Sequence, residues 1–285
     1  MSAANCLPPE AAICIAAIAA DREHGASWLA QEALRATIVC AEHSTSQSAP
    51  EFLAESATCA RALIAARPGM APVRYWVERW LAGLQKQAAS PGDVIQLRKR
   101  AARLSTDLIA AAREARTVAI HYVIDRLTTP ETIFTASYSE SVVEACRLAQ
   151  GKGMLERVLA AESRSVDGHR YGEQVERALA QSGIPVVVVP DAAIASRVAE
   201  AQRVWLGADS VYPDGSVLNG IPSRRLAVAA QRQGRPVDIL AEEAKLDRWS
   251  QSAEIEPPPG FELIPAEAIT AILTENGRWQ PGSAL

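Results

Sequence analysis

The hydrophobic pattern changes near Thr128, and this change predicts two domains. Before this residue, apolar side chains recur at helical spacing, as at Leu97, Leu104 and Leu108. Polar or Pro/Gly-containing breaks separate the helical segments at 42–50, 67–69 and 90–93. We therefore expect residues 1–127 to form a helical domain and residues 128–285 to form a second domain of another class.

Short apolar runs alternate with helix-period segments in the second domain. The runs predicted as buried strands are Thr132–Ala136, Val158–Ala161, Pro185–Val189, Arg203–Leu206 and Pro236–Leu240. Helices are predicted between them at Ser141–Gln150, Tyr171–Gln181, Ala192–Ala199 and Ser223–Gln233. Fully apolar strands that alternate with helices are typical of a parallel, doubly wound sheet covered on both faces. The predicted fold class is α/β, with a Rossmann-like parallel-sheet domain after the helical one.

The secondary structure of two further segments has to be argued individually. Thr117–Ile124 is rich in β-branched residues and could form a strand, but no helix breaker precedes it, so we predict a helix that continues to Leu127. Pro257–Gly260 is predicted as a loop before a final strand and helix.

Composition excludes several classes of function. The net charge is −4, and neither half of the chain has the basic excess of a nucleic-acid-binding surface. The five cysteines show no CxxC or Cys/His ligand spacing, which favours a reducing compartment and no metal site. The apolar run Ala11–Ala20 lacks a basic flank and is too short to span a bilayer. We expect a cytoplasmic protein that binds neither nucleic acid nor membrane.

Candidate chemistry follows the predicted strands. In a parallel sheet, ligands bind beyond the carboxyl ends of the strands. Residues that follow these ends, directly or in the adjoining loop, are Ser137, Ser139, Glu162, Arg164, Gly168, His169, Asp191, Asp209, Asn219 and Gly220. Asp209 comes after an apolar strand and Gly207-Ala208, so we expect a partly desolvated carboxylate suited to proton transfer.

Each of these residues also has a structural interpretation. Ser137, Ser139 and Asp191 could cap the helices that follow them. Glu162 and Arg164 could form a surface ion pair, and His169 could simply be exposed. Nucleotide-binding GxGxxG and Walker loops, GxSxG and HExxH are all lacking, so no cofactor is predicted.

The order of several segments resembles one known superfamily. They are IFTASYSESVVEACRLAQ, AAESRSVDGHRYG, GIPVVVVPDAAIA and VWLGADSVYPDGSVLNGIPSRRLAVAAQRQGRPVDIL, with DREHGASWLAQEALRA and ARPGMAPVRYW in the helical half and AILTENG near the end. This group contains the regulatory subunits of translation initiation factor two-B, methylthioribose-1-phosphate isomerase and ribose-1,5-bisphosphate isomerase. The resemblance covers nearly the whole chain.

The resemblance implies roles for individual residues. Asp209 matches a catalytic aspartate, and Ser137 stands where the isomerases carry a catalytic cysteine. The implied substrate-binding residues are His24, Gly25, Ala26, Glu162, Arg164, Gly168, Asn219 and Gly220, and we add Ser139 and His169, which follow predicted strands. His24 replaces an arginine and Gly220 replaces a lysine, so two charge-assisted phosphate contacts are missing.

Two functions follow from the resemblance. The first is aldose–ketose isomerisation of a phosphorylated pentose, with Asp209 as the acid/base and Ser137 or His169 assisting. The second is a sensor that binds a sugar phosphate or nucleotide without turnover. Serine at position 137 separates the two, because a hydroxyl does not titrate near neutral pH without an adjacent base. The resemblance also implies a homo-oligomer, a dimer or larger.

Overall fold

A computed structural model describes residues 7–88, 93–248 and 250–281. The chain divides into two compact units, residues 1–114 and 115–285. The division falls inside one long helix, Val94–Ile124, which ends shortly before the domain change expected near Thr128. The break predicted at 90–93 lies almost wholly outside the described residues.

The first unit is helical. Its helices are α1 (Pro9–Ala20), α2 (Ala26–His43), α3 (Ala49–Ala66), α4 (Ala71–Ala88) and the first part of α5 (Val94–Ile124). Its core is built from fully buried apolar side chains such as Phe52 and Trp80, and the Trp80 indole N–H donates to the Ala101 carbonyl oxygen (3.2 Å). None of the helices in the described residues is long and apolar enough to cross a membrane.

The second unit alternates strands and helices. Its elements are β1 (Glu131–Thr135), α6 (Glu140–Gly151), β2 (Leu155–Ala161), α7 (Tyr171–Ala180), β3 (Val186–Val189), α8 (Ile194–Arg197), β4 (Arg203–Leu206), β5 (Ser210–Val211), β6 (Val217–Gly220), α9 (Ser223–Arg232), β7 (Val237–Leu240), β8 (Phe261–Ile264), β9 (Ala271–Thr274) and β10 (Gly277–Trp279). The second part of α5 precedes them, so Thr117–Ile124 is helical as predicted, but the helix ends at Ile124 and not at Leu127.

Seven strands form one sheet in the order β10-β9-β7-β4-β1-β2-β3. All its pairs are parallel except β9 with β10. Alternate strand residues enter opposite cores: Phe134 and Val204 lie in one cluster, and Ile133 and Trp205 lie in the other. The sheet is therefore buried on both faces, which confirms the predicted α/β class with its parallel sheet.

The end of the chain differs from the prediction. A final helix was expected, but the residues described after β8 form a short 3₁₀ turn, Ala266–Ala268, and two strands. The apolar segment Ala271–Thr274 instead pairs with β7 in parallel, and a turn at Asn276 leads back into β10. Local periodicity cannot distinguish so short an apolar run from a helix, and its place beside β7 makes it a strand.

A second sheet was not predicted. Strands β5, β6 and β8 form an antiparallel three-stranded sheet, in which β5 and β6 are a hairpin around Asp214-Gly215. Strand β6 of this hairpin holds Asn219 and Gly220, which the sequence placed only in the segment after the predicted strand Arg203–Leu206. The site residues of this segment therefore have a fixed register.

Candidate active site

The carboxyl ends of the parallel strands bring together, at one edge of the sheet, three predicted segments and a fourth segment, after β7, that was not predicted. Because β1, β2, β4 and β7 run in parallel, the residues that follow them lie at the same edge. These residues include Ser137, Ser163, Asp209 and Glu242. This is the edge at which the strand–helix alternation placed the candidate chemistry.

Ser137 adopts a strained backbone conformation. Its φ angle is +62°, in the left-handed region that only a few per cent of non-glycine residues occupy. Its N–H donates to the Ser163 Oγ atom (2.8 Å), and Ser163 itself has a φ of +50°. Such strain clusters at ligand-binding and catalytic positions, where surrounding contacts maintain it.

Asp191 maintains the Ser163 conformation. One carboxylate oxygen accepts from the Ser163 N–H (2.8 Å), and the other accepts from the Arg164 N–H (3.2 Å). Asp191 was interpreted as the cap of the following helix, but no side-chain capping bond is made there. That interpretation is wrong, because the carboxylate is directed across the sheet edge to the loop after β2.

Two glycines let serine side chains pack against the backbone. A Cβ atom on Gly207 would lie 2.5 Å from the Ser139 Oγ atom, and one on Gly220 would lie 2.4 Å from the Ser137 Oγ atom. Ser139 also accepts from the Val142 N–H (3.4 Å) and so caps α6, as its structural interpretation predicted. In the part of the chain that the structure describes, the Ser137 hydroxyl has no hydrogen-bond partner.

The β5–β6 hairpin brings Asp209 beside Asn219. The Asp209 N–H donates to the Leu218 carbonyl oxygen (2.9 Å), and Ser210 pairs with Leu218 in the antiparallel register. Asp209 and Asn219 are both more than nine-tenths buried. The Asn219 side-chain amide donates to the Ser223 Oγ atom (3.1 Å) at the start of α9. Since Gly220 touches Ser137, the structure assembles Ser137, Asp209, Asn219 and Gly220 into one cluster.

The predicted residues in the loop after β2 have other contacts than the sequence suggested. Glu162 forms an ion pair with Arg170 (3.2 Å) rather than with Arg164, so the suggested surface pair is wrong. The Arg164 side chain is exposed. His169 is partly buried, with its Nε2 atom 3.2 Å from Gln174 Oε1. Gly168 has a φ of +87° and permits the turn between Ser165 and His169.

His24, Gly25 and Ala26 lie in the helical unit, where α2 begins. The Asp21 carboxylate accepts from the His24 N–H (2.9 Å) and lies 2.8 Å from the His24 Nδ1 atom. The imidazole also stacks on Trp28, with ring centroids 3.7 Å apart. Burial alone would raise the pKa of Asp21. The bonds that its carboxylate accepts from His24 and from the Glu23 N–H outweigh burial, so the pKa lies below its ordinary value. The structure thus orients the His24 ring firmly within its own unit.

Sequence reasoning missed a buried ion pair at the sheet edge. Lys245 Nζ lies 3.2 Å from Glu242 Oε2, and the Ser141 hydroxyl donates to the other Glu242 oxygen (3.3 Å). Both charged side chains are almost inaccessible to solvent. This loop is joined to the hairpin, because the Asp247 N–H donates to the Val211 carbonyl oxygen (2.8 Å). The signal was present, since Glu242 follows the apolar strand β7 just as Asp209 follows β4.

Tyr212 is a second residue that the sequence did not suggest. Its ring is fully buried in the hairpin. Burial raises the pKa of the Tyr212 phenol to about 12, and the carboxylates of Asp247, Asp209 and Asp214 act in the same direction. The phenol therefore stays protonated even in mildly alkaline solution, and beside Asp209 it can donate or accept hydrogen bonds.

Comparison with known proteins places the chain in a family. The model of the initiation factor 2 subunit family matches residues 22–258. The chain belongs to this family, which confirms the resemblance seen in its motifs.

Individual relatives carry several names. The chain is 26% identical over 283 residues to a protein of Haloferax volcanii named ribose 1,5-bisphosphate isomerase, covering 91% of this chain and 85% of the relative. It is 31% identical to a methylthioribose-1-phosphate isomerase of Nitrosococcus oceani over 46% of this chain and 45% of the relative. The fold is similar to that of the Pyrococcus horikoshii OT3 translation initiation factor eIF-2B (TM-score 0.84, 22% identity, 96% and 98% of the two chains covered).

Proposed function

We propose that the protein is a sugar-phosphate isomerase that converts a phosphorylated aldopentose into the corresponding ketose. The observation that carries this proposal is the cluster of Ser137, Asp209, Asn219 and Gly220 at the carboxyl edge of the sheet. The names of relatives such as the Haloferax volcanii protein support a pentose 1-phosphate as the substrate class.

The reaction is an internal rearrangement that consumes no second reactant. In a pentose 1-phosphate, the bond between C1 and the ring oxygen breaks and the C2 hydrogen moves to C1. The C2 hydroxyl loses its proton and becomes the ketone carbonyl, while the former ring oxygen gains a proton and becomes a hydroxyl. Asp209 is proposed to move protons, because a buried carboxyl group can both give and accept one. The Ser137 hydroxyl is proposed to orient the sugar, since no base lies within hydrogen-bonding distance among the described residues to activate it.

Phosphate binding is proposed to involve both backbone and side chains. The start of α6 lies directly after Ser139, and helix N-termini favour phosphate. Lys245 adds a buried positive charge at the same edge, which its pairing with Glu242 partly balances. The resemblance keeps Arg164, Gly168, His24, Gly25 and Ala26 as predicted substrate contacts, and His169 stays a predicted contact because of its place in the loop after β2.

The decisive experiment replaces Asp209 with Asn. The amide keeps the size of the side chain but cannot exchange a proton near neutral pH, so turnover of ribose 1,5-bisphosphate should fall by about 10²–10⁴-fold. The affinity for the substrate should stay within a few-fold. Conversion is followed by ¹³C NMR of labelled substrate, and Asp125→Asn, at an exposed carboxylate paired with Lys152, is the matched control. Equal turnover in the two variants would reject Asp209 as the acid/base.

A second candidate function is a non-catalytic sensor of a sugar phosphate or nucleotide. The observation that favours it is the contact between Ser137 and Gly220, which replaces the thiol and the lysine that the isomerases carry at these positions. A wild-type protein that binds ribose 1,5-bisphosphate in calorimetry without converting it would support the sensor.

We also propose that the protein is a homo-oligomer, a dimer or larger. The proposal rests on family membership, and the tetrameric beta2-delta2 complex named among its structural relatives supports assembly of this fold, although that complex contains two kinds of subunit. Light scattering at micromolar concentration should give at least twice the mass of one chain, and a monomer would contradict it.

A further inference from the structure

A groove beside α9 concentrates positive charge. We call it the α9 groove: it has a volume of about 410 Å³ and is lined by Ala195, Arg224, Arg225, Val228, Ala229, Arg232, Gln233 and Glu262. Residues at positions i, i+4 and i+8 lie along one face of a helix, so Arg224, Val228 and Arg232 point in a common direction. The lining contains none of the candidate active-site residues.

The arginines of this groove outnumber its carboxylates. Among the residues that the structure describes, Arg224, Arg225 and Arg232 form no ion pair with a carboxylate. The Arg225 guanidinium donates only to the carbonyl oxygen of Asp191 (3.1 Å). Three guanidinium groups thus face one carboxylate, Glu262, in a chain with a net charge of −4.

A second groove of equal size provides a comparison. It has a volume of about 420 Å³ and is lined by Glu162, Arg170, Glu173, Glu176, Arg177, Val188 and Pro190. There Arg170 pairs with Glu162 and Glu173, and Arg177 pairs with Glu173. The arginines of the second groove are therefore paired with carboxylates, whereas, among the described residues, those of the α9 groove are not. This difference distinguishes the α9 groove from an ordinary solvated helix face.

Glu262 adds one negatively charged group to the groove. One of its oxygens accepts from the backbone N–H of Arg224 (2.8 Å), which holds the carboxylate beside the start of α9. Its remaining oxygen can accept from a hydroxyl or amino group. Burial raises the pKa of Glu262, and the bond from Arg224 opposes this shift.

We propose that the α9 groove is a binding site for a small phosphorylated compound that carries hydroxyl groups. Guanidinium groups are the side chains best matched to phosphate oxygens, because their planar donors bind two oxygens at once. The Glu262 carboxylate would hold a hydroxyl, and Val228 and Ala229 provide the apolar surface between them. A volume near 400 Å³ suits a small molecule, since ligand sites range from roughly 300 to 1,000 Å³.

The test titrates ribose 5-phosphate into three proteins by calorimetry. These are the wild type, the double variant Arg224→Gln/Arg232→Gln, and Arg177→Gln as the control from the balanced groove. All three arginines are exposed, so folding should be unaffected. Arginine Nε–H resonances in ¹⁵N-labelled protein report whether the ligand reaches Arg224 and Arg232.

We expect the double variant to weaken binding by roughly tenfold or more, because two charge-assisted contacts are lost. Arg177→Gln should bind like the wild type, and addition of ligand should shift the Arg224 and Arg232 resonances. Unchanged affinity in the double variant, resonance shifts confined to other arginines, or no binding by the wild type would each overturn the proposal. The proposed active site contains neither Arg224 nor Arg232, so ribose 5-phosphate bound there would leave the affinity of the double variant unchanged, and failure of this proposal is distinguishable from failure of the proposed function.

Discussion

The Oγ atom of Ser137 occupies the space that a side chain at position 220 would need, since a Cβ atom on Gly220 would lie 2.4 Å from it. The Ser137 Cβ atom lies 3.1 Å from the same point, so rotation of the hydroxyl alone does not remove the crowding. Serine at 137 and glycine at 220 are thus a matched pair. The isomerases carry cysteine at the position of Ser137 and lysine at the position of Gly220. That pair of side chains needs a different packing at this contact.

Gly220→Ala should destabilise the protein. Forcing a methyl group into a filled space typically costs about 1–3 kcal/mol. In a Ser137→Gly background the cost should fall by about 1 kcal/mol, because the crowding atoms are gone. Urea unfolding of the four proteins of this cycle measures the coupling. Gly151→Ala, where no atom lies within 4 Å of the added Cβ, is the control. An equal cost of Gly220→Ala in both backgrounds would contradict the contact.

Ser137→Cys should raise turnover of ribose 1,5-bisphosphate, whereas Ser137→Ala should lower it less than Asp209→Asn does. A thiol titrates near pH 8.5 and can exchange a proton, but a serine hydroxyl without a base can only orient the sugar. The rates are compared with those of Ser182→Cys, which adds a thiol at an exposed turn. If Ser137→Cys binds the substrate but stays inactive, and the wild type is inactive too, the sensor function is the better explanation.

Asp191→Ala should loosen the loop that supports Ser137. It removes the acceptor of two backbone N–H groups, those of Ser163 and Arg164, and such losses cost about 1–3 kcal/mol. Hydrogen exchange at both amides should speed up by at least tenfold, while Asp191→Asn, which keeps one acceptor, should have a smaller effect. Exchange rates at the wild-type level in Asp191→Ala would show that the loop holds its shape without this carboxylate.

Tyr212 should make stability fall in alkaline solution. Its pKa is raised from the ordinary value of 10.0 to about 12 in the folded state. Between these values the folded state binds a proton that the unfolded state has lost, so the free energy of unfolding decreases as pH rises, by up to about 1.4 kcal/mol per pH unit. Below pH 10 both states are protonated and this dependence disappears. Unfolding measured from pH 9 to 11.5 should show a shallower decline for Tyr212→Phe than for the wild type, with Tyr122→Phe as the control.

Much of the fold follows from local pattern. The alternation of apolar runs and helix-period segments after Thr128 predicts the parallel sheet, because a strand buried on both faces must be apolar along its length. The rule that ligands bind beyond the carboxyl ends of strands then leads to Ser137 and Asp209. Both inferences need only neighbouring residues.

The sequence by itself therefore determined the α/β class, the family and the strand ends at which the candidate residues lie. Only the tertiary structure decided which side chains meet there: Asp191 with Ser163, Gly220 with Ser137, and Lys245 with Glu242. The first two of these contacts join distant strands or hairpins, and all three depend on register and backbone conformation that periodicity does not encode. The same reason explains the final helix that proved to be strands β9 and β10, since the place beside β7, not local propensity, makes that segment extended.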